Sequence, residues 1–252
     1  MRVIVNADDL GASHDVNEAI FAMMSRGRVS SATIMGNGPA VEEALREAKR
    51  FPQCSFGIHL NMTQYAPLTR SPRLAPALRD GELARDRLLA APRRAGLVLA
   101  AYEEWRAQVG RVIDAGIPVS HFDSHHHVHT MPFLLPALKA LMAHFRIRRI
   151  RLSKNLYTPA ARPPRRKLVE KAAFNAALRH VLPRARTTSS FTEFQSFYDL
   201  VTSGLPIDAP SIELMAHPGA DSEKYRSETA LIAEHAIDAL SPGAVLVSYH
   251  AL

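Results

Sequence analysis

Carboxylates and imidazoles gather in four short stretches of this chain, and these are the side chains that bind metals and move protons. Asp8 and Asp9 stand side by side near the N-terminus, and His59 follows in a Gly-Ile-His-Leu-Asn string. The run His121-Phe-Asp-Ser-His-His-His-Val-His129 holds five imidazoles in nine residues, and His217 precedes Pro218-Gly219. Adjacent carboxylates in an extended chain point to opposite faces. A natural division has one on a metal and the other near the water it activates. Five imidazoles cannot all ligate one ion, so some must orient ligands or touch substrate; Asp123, two residues before His125, is placed to orient one. Taken singly, Asp8-Asp9 and His217 also suit ordinary turns, and His59 suits a hydrogen-bonded core position. Together, an Asp/His/His set fits a catalytic divalent site in which three protein ligands leave room for water and substrate. Imidazole-rich ligation favours Zn²⁺, Mn²⁺ or Co²⁺ over the oxygen-preferring Mg²⁺. Neither Ser124 nor Ser248 lies in a GxSxG elbow, and no GxGxxG or GxxxxGK phosphate loop occurs.

Short β-rich runs alternate with helix-period segments along the chain. Strands are predicted at 2–6, 31–35, 55–60, 119–123, 147–152, 187–190 (a weak one), 212–216 and 245–249. Helices are predicted at 15–26, 39–50, 99–115, 132–144, 165–180, 192–203 and 222–240, with Ser13 as the first N-cap and Gly27 as that helix's stop. Such alternation implies parallel strands covered by helices, in a (β/α) barrel or an open doubly wound sheet. In either fold, functional residues collect at the carboxyl ends of strands, which is where each polar cluster falls. Residues 61–97, rich in Pro and Arg and poorly periodic, read as an excursion or lid.

With 252 residues, 47% of them hydrophobic, the chain is long enough for a packed core, and its composition excludes disorder, collagen and coiled coil. Cys54 is the sole cysteine, which excludes a disulfide scaffold and suits a small buried core residue. No run is long enough to span a membrane, and the opening MRVIVNADDLG leaves no room for a signal peptide, so the cytoplasm is the expected compartment. The net charge of +7 is local: residues 146–186 carry thirteen Lys/Arg against Glu170 alone, leaving 18 basic and 23 acidic residues elsewhere. That segment gives nucleic-acid binding an electrostatic basis, but it has no recognised motif and few aromatics for stacking bases. No nucleic-acid partner is expected; these arginines read as a solvated face, or as partners for acids on another subunit or a substrate.

The strings Asn6-Ala-Asp-Asp-Leu-Gly11 with Ser13 and Asn17, Gly57-Ile-His-Leu-Asn61, His121 to His129, and Met215-Ala-His-Pro-Gly219 resemble, in order, the motifs of the YdjC-like (ChbG/HpnK) carbohydrate deacetylases. The resemblance implies an α/β fold, a distorted (β/α) barrel of seven or eight mostly parallel strands of the glycoside hydrolase/deacetylase type. It also implies a metal-dependent hydrolase that removes acetyl from N-acetylated sugars, either oligosaccharides or sugar-lipids. By motif, Asp9, His59 and His125 would hold one divalent ion, Asp8 would act as general base and His217 as general acid. The family's usual ion is Mg²⁺; the imidazole donors keep Zn²⁺ open. One domain over 1–252 is expected, with the excursion at 61–97 and the basic segment at 146–186 inside it, and a homodimer is compatible with the sequence. The alternatives are a binuclear phosphoesterase or amidohydrolase using His125, His127 and His129 differently, and a nucleic-acid binder. Where family members show Ser-Tyr-Arg-Asp near the last strand, this chain has Ser248-Tyr249-His250-Ala251.

Overall fold

The computed structural model describes residues 1–181 and 185–252. Arg184, counted in the basic segment, lies outside the described residues. The first half runs β1 (Arg2–Leu10), α1 (His14–Ser25), β2 (Ser31–Ile34), α2 (Val41–Ala48) and β3 (Ser55–Leu60). The excursion then forms a small hairpin, β4 (Leu78–Arg79) with β5 (Glu82–Leu83), and a short helix α3 (Arg85–Ala90). There follow α4 (Ala95–Asp114), β6 (Val119–Ser124), α5 (Leu135–Phe145) and α6 (Arg165–Val181). The chain ends with β7 (Ser190–Glu193), α7 (Phe194–Thr202), β8 (Ser211–Ala216), α8 (Glu223–Glu234), α9 (Ile237–Leu240) and β9 (Val245–Leu246). Ser13 caps α1 as expected, its hydroxyl accepting from Val16 N at 3.2 Å, and Gly27 follows at φ +65°.

Seven parallel strands form one curled sheet in the order β6-β3-β2-β1-β8-β7, with β9 pairing the start of β1. The predicted strand at 147–152 is instead an irregular extended segment. It bonds β6 on one side (Arg151 N to Phe122 O, 3.0 Å) and the approach to β7 on the other (Ile150 N to Arg186 O, 3.0 Å). This segment fills the gap between the sheet's two edges and makes the barrel distorted rather than regular. Other boundaries moved for local reasons. The weak strand expected at 187–190 forms as β7, three residues later, and α7 starts after it. The helix expected over 222–240 breaks at His235, whose extended backbone (φ −114°, ψ 119°) separates α8 from α9. The excursion is shorter than expected, because α4 already begins at Ala95.

Within the strands, polar and apolar residues alternate with the pleat. Val5, Ala7, Ala32, Ile34, Ile58, Phe122, Leu214 and Ala216 pack in the apolar core with the helices. Asn6, Asp8, Ser31, Thr33, His59, His121, Asp123 and Glu213 are buried too, on the opposite faces. The barrel interior is therefore polar, while the apolar core lies in the layer between strands and helices. Cys54 is buried, and burial pushes its thiol up to about 11, away from thiolate chemistry. No helix among the described residues is long and apolar enough to cross a membrane.

Candidate metal centre

The carboxyl ends of β1, β3 and β6 bring Asp9, His59 and His125 together, with one ligand atom of each within 4.8 Å of the others. Asp9 reaches the site by breaking the strand's alternation. Its φ is +67°, in the left-handed region a non-glycine residue occupies at a cost of about 1–3 kcal/mol, and the β1–β2 register shifts between Ala7 and Leu10. Asp8 and Asp9 can thus both face the barrel mouth, which a regular strand would forbid. The bend is held by Asn17, whose Oδ1 accepts from Gly11 N at 2.7 Å while its Nδ2 donates to Ala40 O. The β3–β6 register sets His59 opposite Asp123. His59 Nδ1–H donates to Asp123 Oδ1 at 2.7 Å, which fixes the tautomer and turns Nε2 toward Asp9 Oδ1 at 3.2 Å.

His125 follows β6 on a tight kink. His126 and His127 take left-handed conformations (φ 50° and 55°), and Ser124 Oγ accepts from His129 N at 2.9 Å to close the turn. The result puts His125 Nδ1 at 2.9 Å from Asp9 Oδ1 and leaves its Nε2 buried without a partner. The other imidazoles of the run separate. His126 contacts Thr63 Oγ1 at 3.0 Å, exposed His127 meets Phe191 edge-on, and buried His129 bonds Ser124 and the Arg151 carbonyl. His121 lies deeper, stacked on Tyr249.

Asp8 sits just inside the group formed by Asp9, His59 and His125. Arg151, fully buried, grips both its oxygens, Nη1 to Oδ2 at 2.7 Å and Nη2 to Oδ1 at 2.6 Å. The same guanidinium reaches Asp123 Oδ2 at 2.9 Å and, through Nε, Glu213 Oε1 at 2.7 Å. Burial opposes the charge on Asp8, but Arg151 outweighs it and holds this carboxyl well below the usual range. Burial likewise opposes the charge on Asp9, yet the hydrogen bonds from His125 and His59 hold it low. Across the mouth, His217 Nε2 lies 4.0 Å from Asp8 Oδ2 and its Nδ1 lies 3.7 Å from Glu228 Oε2. Burial works against the imidazolium, but Glu228, with Asp8 and Asp9, raises the His217 pKa above its ordinary value. Gly219 permits this turn: at φ +79°, its Cβ position would lie 2.6 Å from Asp15 O.

Five residues singled out in the sequence, Asp8, Asp9, His59, His125 and His217, therefore converge. Three that complete the geometry were not anticipated: Arg151, Glu213 and Glu228. Arg151 corrects the expectation for the basic segment, since this arginine is no part of a solvated face and meets acids of its own chain. The signal was present as charged residues flanked by apolar ones in buried extended segments, Glu213 between Ile212 and Leu214, and Arg151 between Ile150 and Leu152.

Two sets of potential ligands occur among the described residues: Asp9, His59 and His125, and Asp8, His59 and Asp123. In the second, Arg151 already supplies the positive charge to both carboxylates, leaving no donor free for an ion. The first fits a divalent ion. Its donors are one carboxylate oxygen and two imidazole nitrogens, one of them oriented by Asp123, and a buried ring nitrogen is left without a bond.

A carbohydrate deacetylase of Brevibacillus brevis is 39% identical to this chain over 151 residues, 58% of each. A carbohydrate deacetylase of Vibrio campbellii is 37% identical over 151 residues, 58% of this chain and 57% of that one. The chain thus spans less than three-fifths of the length of these curated relatives. The solved structure of a proposed cellobiose-phosphate cleavage protein from Enterococcus faecalis V583 superposes with a TM-score of 0.74, covering 99% of this chain and 98% of that one. Its identity is 20%, so the likeness is one of fold. Residues 2–244 match the family described as YdjC-like protein, and this chain belongs to that family.

Proposed function

We propose that this chain is a metal-dependent hydrolase that removes acetyl from N-acetylated sugars, acting as one domain over 1–252. The observation that carries it is the meeting of Asp9, His59 and His125 with an ionised carboxylate, Asp8, and an imidazole of raised pKa, His217, at the same barrel mouth. The curated relatives named carbohydrate deacetylases support the substrate class. Asp9, His59 and His125 would hold the ion, and two imidazoles in three donors favour Zn²⁺ over the Mg²⁺ that the resemblance implies. Once bound, the ion would polarise the acetamide carbonyl and lower the pKa of water.

The chain's own residues supply the proton traffic. Asp8, ionised across neutral pH, takes a proton from the attacking water, while Arg151, bonded to both its oxygens, keeps the carboxylate aimed. His217, whose pKa Glu228 helps to raise, gives its proton to the departing nitrogen, so acetate and a free amine leave. General acid and base assistance of this kind is worth about 10²–10⁴-fold each. A second ion, as a binuclear phosphoesterase requires, would have to displace Arg151 from its carboxylates.

Acetate release from N-acetylglucosamine oligomers and N-acetylated sugar-lipids, with Zn²⁺, Mg²⁺, Mn²⁺ or Co²⁺ added, tests the proposal. Asp8→Asn should abolish turnover and keep the metal stoichiometry, whereas His59→Ala should lose both. Full activity in Asp8→Asn would remove the base assignment, and metal retention in His59→Ala would remove the ligand assignment.

A further inference from the structure

Below Asp8 the barrel interior continues as a column of buried polar groups that the proton transfers do not use. After β9 the chain passes under the sheet, where Tyr249 N donates to Ser55 Oγ at 3.0 Å, and the Tyr249 side chain enters the barrel from the end opposite the metal-ligand group. Its hydroxyl donates to Glu213 Oε2, while Glu213 Oε1 accepts from Arg151 Nε. Tyr249, Glu213 and Arg151 are each 0% exposed.

Resting on the deacetylase reading above, we propose that Glu213 and Tyr249 are positioning residues for the base Asp8, acting through Arg151. A guanidinium is a rigid plane, so fixing its Nε–H fixes where its two terminal nitrogens point. Glu213 holds Nε, and the terminal nitrogens then meet both oxygens of Asp8 at 2.7 and 2.6 Å. Tyr249 in turn favours the charged form of Glu213, the stronger acceptor for Nε, because both carboxylate oxygens then receive a donor. The tyrosine cannot swing away. Its ring stacks on His121 with centroids 3.5 Å apart and planes 10° apart, and His121 is itself wedged between Ser120 Oγ (2.8 Å from Nδ1) and the backbone of Gly57. These groups are all cut off from bulk solvent, so each link matters more than it would at a surface.

The groups around Glu213 set the sign of the effect. Arg151 and Tyr249 touch it, Asp123 and neutral His121 face it from β6, Asp8 lies beyond Arg151 on β1, and Phe191 and Thr192 of β7 bring no charge. Burial pushes the Glu213 carboxyl up to about 7, with Arg151 and the tyrosine hydroxyl pulling the other way. Without the Tyr249 donor, Glu213 stays protonated to higher pH, and Arg151 is held by a weaker, uncharged acceptor.

Tyr249→Phe and Glu213→Gln in the Zn²⁺-loaded full chain test the inference by two readouts. Steady-state acetate release should show Tyr249→Phe with unchanged KM and metal content and kcat roughly tenfold lower near pH 6.5, the low end of what a hydrogen bond to a charged group is worth. The deficit should close toward about pH 9 as Glu213 regains its charge, whereas Glu213→Gln should be slower at every pH. Isotope-edited infrared spectroscopy, which needs no turnover, should find Glu213 titrating at higher pH in Tyr249→Phe than in the wild type. A purely structural role would lower stability and leave both pH profiles where they were. A Tyr249→Phe deficit independent of pH, or a Glu213 titration that does not move, would overturn the relay. A wild type that releases no acetate overturns the deacetylase reading, while the infrared titration still decides the relay.

Discussion

Arg151→Met keeps much of the side chain's length and deletes its charge, which leaves three buried carboxylates without the guanidinium that bonds all of them. In the wild type, Asp8, Asp123 and Glu213 all bond this one guanidinium, at distances between 2.6 and 2.9 Å. Removing one partner of a buried ion pair costs about 3–5 kcal/mol, because the remaining charge cannot return to water. For a chain of this size that corresponds to a fall in melting temperature of roughly 6–20 °C. The pH dependence follows from Asp8. Its folded pKa is depressed, so its contribution to stability is present above the unfolded carboxylate value and is lost as pH falls through the folded one. In the variant, burial acts on Asp8 without the guanidinium, with His59 and His217 left to oppose it, so that pKa rises and protonation relieves the strain instead. The stability gap between wild type and variant should therefore be widest near pH 7.5 and shrink toward about pH 4. Denaturant unfolding of the metal-free protein at several pH values measures it. Arg151→Lys should recover only part of the loss, since one ammonium cannot span Asp8 and Glu213. A loss under about 1 kcal/mol at pH 7.5, or a gap that widens on acidification, would refute the reasoning.

Two further perturbations probe the same mouth from other directions. Glu228→Gln removes one of the carboxylates that raise the pKa of His217, leaving Asp8 and Asp9 against burial, so the alkaline limb of kcat should move to lower pH. The imidazolium of the wild type is fully present below its ordinary value and lost only as pH rises through the raised one, and a limb that stays in place would sever Glu228 from the acid. Gly57→Ala would put a Cβ 2.5 Å from His121 Cε1 in a fully packed interior. It should destabilise by about 1–3 kcal/mol, and a denaturation midpoint equal to wild type would show that His121 can move aside.

Much of the candidate site was legible before any fold was known, because its residues are local strings: Asp8-Asp9, the histidine run, and His217-Pro-Gly. Ser13 as a cap and the parallel, helix-covered strands were equally legible, since capping and periodicity are short-range properties. The hidden parts were those whose meaning lies in a distant partner. Arg151 sits among arginines in a basic stretch, and its apolar neighbours Ile150 and Leu152 hint at burial without naming a partner; that partner, Asp8, is 143 residues away. Glu228 lies on α8, a helix with a largely polar pattern, and only the approach of that helix to the end of β8 brings it to the His217 backbone at 2.8 Å. The irregular segment around 150 could not be told from a regular strand by its residue types.

The sequence by itself determined which chemistry was available, the order of the elements, and the end of the strands where carboxylates and imidazoles would collect. Tertiary structure alone decided which of twelve histidines meet one aspartate, which of many arginines is buried, and which carboxylate stays ionised. The physical reason is that a ligand set and a shifted pKa are properties of a few ångströms of space. Burial, register and a left-handed residue at Asp9 set those distances, and local periodicity carries no information about them.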